Sequence, residues 1–147
     1  MFRVEVDVTN ALVQGSSGSE GDVREILTEK IGRFDNRVVV ACFASNVARL
    51  NSIAHAAAAH DRSVGLVGRS LWRFYEASQE NGYLTDIPRF LSPKEAGLLP
   101  RDKVLLICTG SQGEPRSALA RIARDDHPDV ALDQGDAVIF SSRIIPG

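Results

Sequence analysis

Four short runs of the chain are almost wholly apolar: RVVVAC (37–42), SVGLV (63–67), KVLLIC (103–108) and DAVIF (136–140). None alternates with polar positions, so each predicts a strand covered on both faces, as in a parallel sheet. The intervening stretches have helical spacing. Val47, Leu50, Ile53 or Ala54, and Ala57 share one side of a helix after the first run. A second helix follows Gly68-Arg69-Ser70 and reaches Asn81, and a third runs from Ser117 to about Arg124. Ahead of them, Ser19 with Asp22 three residues on resembles a capping box and opens a helix from about Glu20 to Phe34. Residues 2–8 alternate, with Val4, Val6 and Val8 on one face and Arg3, Glu5 and Asp7 on the other, which predicts a half-buried strand. The stretch 82–101 carries Pro88, Pro93 and Pro100 and reads as an irregular excursion.

Strands alternating with helices predict an α/β fold: a three-layer domain with a mostly parallel sheet and helices on both faces. A chain of 147 residues fits one such domain, and 44% hydrophobic with 24% charged residues is ordinary for a globular core with a wetted surface. The net charge of -2 argues against a broad basic field, although not against a local groove for an anion. Cys42 and Cys108 each end an apolar run, which predicts buried, reduced thiols and a cytoplasmic protein. No CxxC or Cys/His cluster has zinc spacing. No apolar run approaches a membrane span, and the opening MFRVEV is not a signal peptide.

In an open parallel sheet, ligands bind beyond the carboxyl ends of the strands. Four segments are expected to gather there: Phe43-Ala44-Ser45-Asn46, Gly68-Arg69-Ser70, Thr109 to Glu114, and Ser141-Ser142-Arg143. Three lead into helix N-termini, whose unpaired N–H groups attract anions. Gly110 and Gly113 allow close backbone approach, Thr109, Ser111 and Gln112 offer hydrogen bonds, and Pro115 suits a first helical turn. Arg69 and Arg143 supply forked donors for phosphate. Each loop taken singly is adequately explained as a strand-to-helix turn; it is their convergence that predicts a site. Neither GxxxxGK[ST] nor GxGxxG is present, so nucleotide hydrolysis and dinucleotide binding are unsupported. His55 and His60, on the polar side of an Ala-rich helix, and His127 read as solvated. Trp72, Phe74 and Tyr75 read as helix-to-sheet packing, with base stacking the alternative.

ACFASNVARL, VGRS, LPRDKVLLICTGSQGEPRSALARIA and GDAVIFSSRIIPG resemble, in order, successive blocks of the beta-CASP domain of ribonuclease J, whose fold is Rossmann-like. The similarity runs from about Asp7 to Gly147. It implies two parts: residues 1–18, an N-terminal strand and loop left from the junction with a metallo-beta-lactamase half, and residues 19–147, the beta-CASP domain. Asp7-Val8-Thr9-Asn10 resembles the family's Asp-Ser-Thr-Asn element, with Val8 departing from it, and by that resemblance Asp7 would ligate metal. The resemblance further implies a hydrolase of RNA processing and decay, a metal-dependent 5′-exonuclease and endonuclease. Its partners would be RNA and the metallo-beta-lactamase domain of the same polypeptide, with homo-oligomers of the full-length enzyme. Zinc would be its cofactor, held by a His-x-His-x-Asp-His motif that the three histidines here do not form. The chain alone is therefore expected to bind no cofactor and to be inactive. Phe43, Ser45, Asn46, Arg69, Thr109, Gly110, Ser111, Gln112, Gly113, Glu114, Ser141, Ser142 and Arg143 would face the RNA backbone or its terminal phosphate. The rival readings are an α/β domain binding a phosphorylated metabolite through the same loops, and a purely structural or dimerising module.

Overall fold

Val38, Val39 and Val40 are stiff, β-branched and fully buried, and they form the central strand of the sheet. In the computed structural model, which describes residues 3–4, 20–42, 47–109, 122 and 136–140, the strands are β1 (Arg3–Val4), β2 (Val38–Ala41), β3 (Ser63–Val67), β4 (Val104–Cys108) and β5 (Ala137–Phe140). All pair in parallel, in the order β1-β5-β2-β4-β3. The helices are α1 (Glu20–Ile31), α2 (Val47–Ala58), α3 (Arg69–Glu80) and α4 (Pro93–Gly97). The parallel α/β architecture expected from the apolar runs is thus the one observed.

Alternation along each strand divides the core in two. Val38 and Val40, Val64 and Leu66, Leu105 and Ile107, Ala137 and Ile139 join Leu27, Leu50, Ile53, Leu71 and Tyr75 of α1, α2 and α3 on one face. Val39, Val67, Leu106, Cys108 and Val138 meet Ala96 of α4 and Ile122 on the other. Helices therefore flank both faces, and each fully buried leucine or isoleucine contributes about 1.5–3 kcal/mol.

Strand order explains the excursion after α3. β4 inserts between β2 and β3, so the chain leaves β2 in one direction and returns from β3 in the other. Right-handed crossovers then require the return to lie on the opposite face. The chain reaches that face by rounding the β3 edge. Leu84 and Phe90 pack in the first core, Leu91 sits at the edge, and α4 lies on the second face. Leu91 donates to Val64 O at 2.8 Å and accepts from Leu66 N at 3.0 Å, while Trp72 Nε1 donates to Leu66 O at 3.1 Å. The outer groups of an edge strand are so consumed. Gly65 is required there, because a Cβ would stand 2.7 Å from Ala96 Cβ.

Several boundaries differ from the sequence reading. The first helix stops at Ile31 rather than Phe34, because Gly32 follows and the chain turns to bury Phe34. The stretch 82–101 is not wholly irregular, since it contains α4 and runs into a 3-10 turn at Arg101–Lys103. Of the alternation over residues 2–8, only Arg3–Val4 lies within the described residues. The Ser19 cap and the helix expected from Ser117 lie outside them, apart from buried Ile122.

Candidate functional site

Strand register sets the site. Ala41 is level with Cys108 and with Phe140, and Cys108 is level with Val67. The carboxyl ends of four parallel strands therefore lie along one line, and the four polar segments each follow one of them in sequence. Of the residues expected at this edge, Gly68, Arg69, Ser70 and Thr109 are described. Arg69 is the first residue of α3 and exposed; Thr109 follows β4 and is half-buried. They are brought together through Gly68, whose φ of 134° favours glycine and whose added Cβ would stand 3.5 Å from Thr109 Oγ1. Phe43, Ser45, Asn46, Gly110 to Glu114, Ser141 to Arg143, Asp7 and His127 lie outside the described residues.

Gly68 caps α3 without a side-chain hydrogen bond, and the first turn holds no acid. The exposed donors at this end of the helix thus have a positive field beside Thr109 and no carboxylate of the same turn to neutralise it. Arg49, in the first turn of α2, is a residue that the sequence reading passed over; it is buried and its guanidinium bears electrostatically on Cys42. Its only signal in the sequence was a cation inside the helix stripe of Val47, Leu50 and Ile53.

Burial disfavours both thiols as nucleophiles. Burial pushes Cys42 up to about 12 against the opposing pull of Arg49, and burial raises Cys108 further, with Cys42 adding to it. Both are free and buried, as the apolar runs suggested. Among the described residues no group of three His, Cys, Asp or Glu side chains is placed to hold a metal. His55 lies 3.4 Å from Asp86, and His60 contacts Thr28 O at 2.7 Å. The two histidines are thus tied to neighbouring elements rather than merely solvated. Among the described residues, these side chains do not converge as zinc ligands.

The three aromatics of α3 part company. Tyr75 is buried, stacks on Phe90 at 4.6 Å and accepts from Phe90 N at 3.1 Å. Trp72 is held edge-on to Tyr75 and by its bond to Leu66 O. Phe74 alone of the three keeps its ring at the surface, 42% exposed. A cavity of about 90 Å³, lined by Ala54, Arg62, Val64 and Phe90 among others, lies at the amino end of β3 and so at the wrong edge for this site. Among the described residues, no helix is long and apolar enough to cross a membrane.

Comparison with known proteins agrees with this architecture. Residues 35–147 match the family model described as "Ribonuclease J, beta-CASP domain". The chain is 48% identical over 141 residues to Ribonuclease J of Sinorhizobium meliloti, covering 96% of this chain and 25% of that protein. It is 45% identical to Ribonuclease J of Mycolicibacterium smegmatis and 41% identical to that of Thermus thermophilus, each over 96% of this chain and 25% of the relative. The chain thus spans about a quarter of the length of these relatives. With the parallel sheet, the register of its strand ends and the match over residues 35–147 in agreement, the chain belongs to the ribonuclease J beta-CASP domain family.

Proposed function

We propose that the chain is the RNA-clamping part of a metal-dependent ribonuclease of the ribonuclease J type, acting in RNA processing and decay in the cytoplasm. Residues 19–147 form the clamp, and residues 1–18 lead from a metallo-beta-lactamase half of the same polypeptide. That half holds zinc, which when bound supplies the activated water for phosphodiester cleavage. The part of this chain is to bind and orient. Thr109, Arg69 and the first N–H groups of α3 take backbone or terminal phosphate oxygens. The segments Phe43–Asn46, Gly110–Glu114 and Ser141–Arg143 complete the cradle. Exonucleolytic and endonucleolytic cleavage then differ in whether a free 5′ end occupies it.

The observation that carries this reading is the level ending of four parallel strands at Ala41, Val67, Cys108 and Phe140, each followed by a short polar segment. The test is the double substitution Ser111→Ala with Gln112→Ala in a complete nuclease. Both changes leave backbone freedom nearly constant. Activity on a 5′-monophosphorylated RNA is expected to fall at least tenfold while the melting temperature barely moves. A stability loss above about 2 kcal/mol, the upper end for a lost helix cap, with activity per folded molecule unchanged, would make the segment a structural turn instead.

A further inference from the structure

Charges on α3 run against the helix dipole. Arg69 and Arg73 stand near its positive N-terminal end, whereas Glu76 and Glu80 stand toward its negative C-terminal end, with no acid in the first turn and no base in the last. Both arginines are exposed, and among the described residues neither makes an ion pair, although Glu76 is only three positions from Arg73. An arrangement unfavourable to the helix itself concentrates positive potential where α3 leaves the carboxyl edge.

Beside Arg73, midway along α3, stands an aromatic. Leu71, Tyr75 and Ser78 face the core, and Phe74 borders that stripe with its ring at the surface. Ser70, Arg73, Phe74 and Ala77, at spacings of three, four and seven, form one continuous flank that holds no carboxylate. A cation beside an exposed ring, with a hydroxyl one turn away, matches the parts of a single-stranded nucleotide: phosphate, base and sugar. An apolar protein segment would leave the guanidinium unmatched.

We propose that this flank of α3, together with Arg69 one turn before Arg73, binds one nucleotide step of single-stranded RNA, with a base stacked on Phe74 and the adjoining phosphates paired with Arg73 and Arg69. It extends the clamp beyond the carboxyl edge and so rests on the RNA reading above. Two 5′-monophosphorylated, fluorescein-labelled oligoribonucleotides, of about four and about twelve nucleotides, test it by fluorescence anisotropy with the 147-residue chain. Phe74→Ala should weaken the long RNA about fivefold or more, and Phe74→Trp should restore it. Arg73→Ala should lower the salt slope of binding by about 0.7. The short RNA, filling only the carboxyl edge, should bind all variants alike. Because both side chains are exposed, the melting temperature should hold throughout. If the native chain binds the long RNA and both alanine variants match it, the inference is overturned while the RNA reading stands. A change of oligomeric state at unchanged RNA affinity overturns it too, and makes the flank a protein interface. Failure of the native chain to bind either RNA overturns both readings.

Discussion

Arg62 has a buried guanidinium placed where the turn after α1, the 3-10 turn and the start of β4 meet. It donates to Phe34 O at 2.8 Å, Val104 O at 2.8 Å and Arg101 O at 3.2 Å, so it joins the turn after α1 to the start of β4. Burial lowers its affinity for its proton, and Asp102 and Asp35 oppose that effect. Arg62→Met keeps most of the volume but leaves three carbonyls without this donor. Stability should drop by about 2–4 kcal/mol, read as a lower urea midpoint at unchanged m-value, with RNA affinity per folded molecule untouched because the amino edge lies away from the clamp. At the same scale, Phe74 and Tyr75 show what a sequence conceals. Both are aromatic neighbours on one helix, and only the placement of Phe90 makes one a core residue and leaves the other at the surface.

Among elements, α4 was legible and yet overlooked. Ser92-Pro93-Lys94-Glu95 has a capping residue, proline in the first turn and an acid three positions on, which is a helix start in miniature. The structure contains the reciprocal bonds: Glu95 N donates to Ser92 Oγ at 3.1 Å, and Ser92 N donates to Glu95 Oε1 at 3.0 Å. The backbone bond from Ser92 is the main reason the Glu95 carboxyl lies below its usual value, followed by the side-chain bond, with Arg89 assisting. A carboxyl held low in the folded state stabilises it above the ordinary value of 4.5, and that contribution is lost as pH falls through the folded value. The Ser92 amide proton should therefore titrate with a midpoint under 4.5 in NMR spectra. In Glu95→Gln the acid titration of that amide should vanish while its hydrogen bond persists. An unshifted midpoint would mean that the cap is not formed in solution.

As a whole molecule, the chain combines a two-sided core with four strand ends aligned along one sheet edge. Core on both faces predicts that the isolated chain unfolds in a single cooperative transition. With a net charge of -2 and few cations at the edge, RNA binding should be weak. Affinity should fall with salt at a slope near 0.7 for each phosphate engaged. No cleavage of a 5′-monophosphorylated RNA is expected from the chain alone, with or without added Zn²⁺ or Mn²⁺. Chelator-sensitive cleavage by the purified chain would contradict the division of labour proposed above.

Hydrophobic pattern alone determined the parallel sheet, since a strand buried on both faces must be apolar at every position, and Val38–Ala41 and Val104–Cys108 are so. It also determined which segments follow strands, and hence that Arg69 and Thr109 would stand at the carboxyl edge. Strand order was not in the pattern. The insertion of β4 between β2 and β3 depends on contacts between residues far apart in the chain, and it alone decides that the chain must round the β3 edge. The burial of Arg49 and the exposure of Arg69 and Arg73 were equally hidden, because both depend on what packs beside them. Local sequence sets periodicity and turn chemistry, whereas exposure, ion pairing and register are properties of the assembled surface.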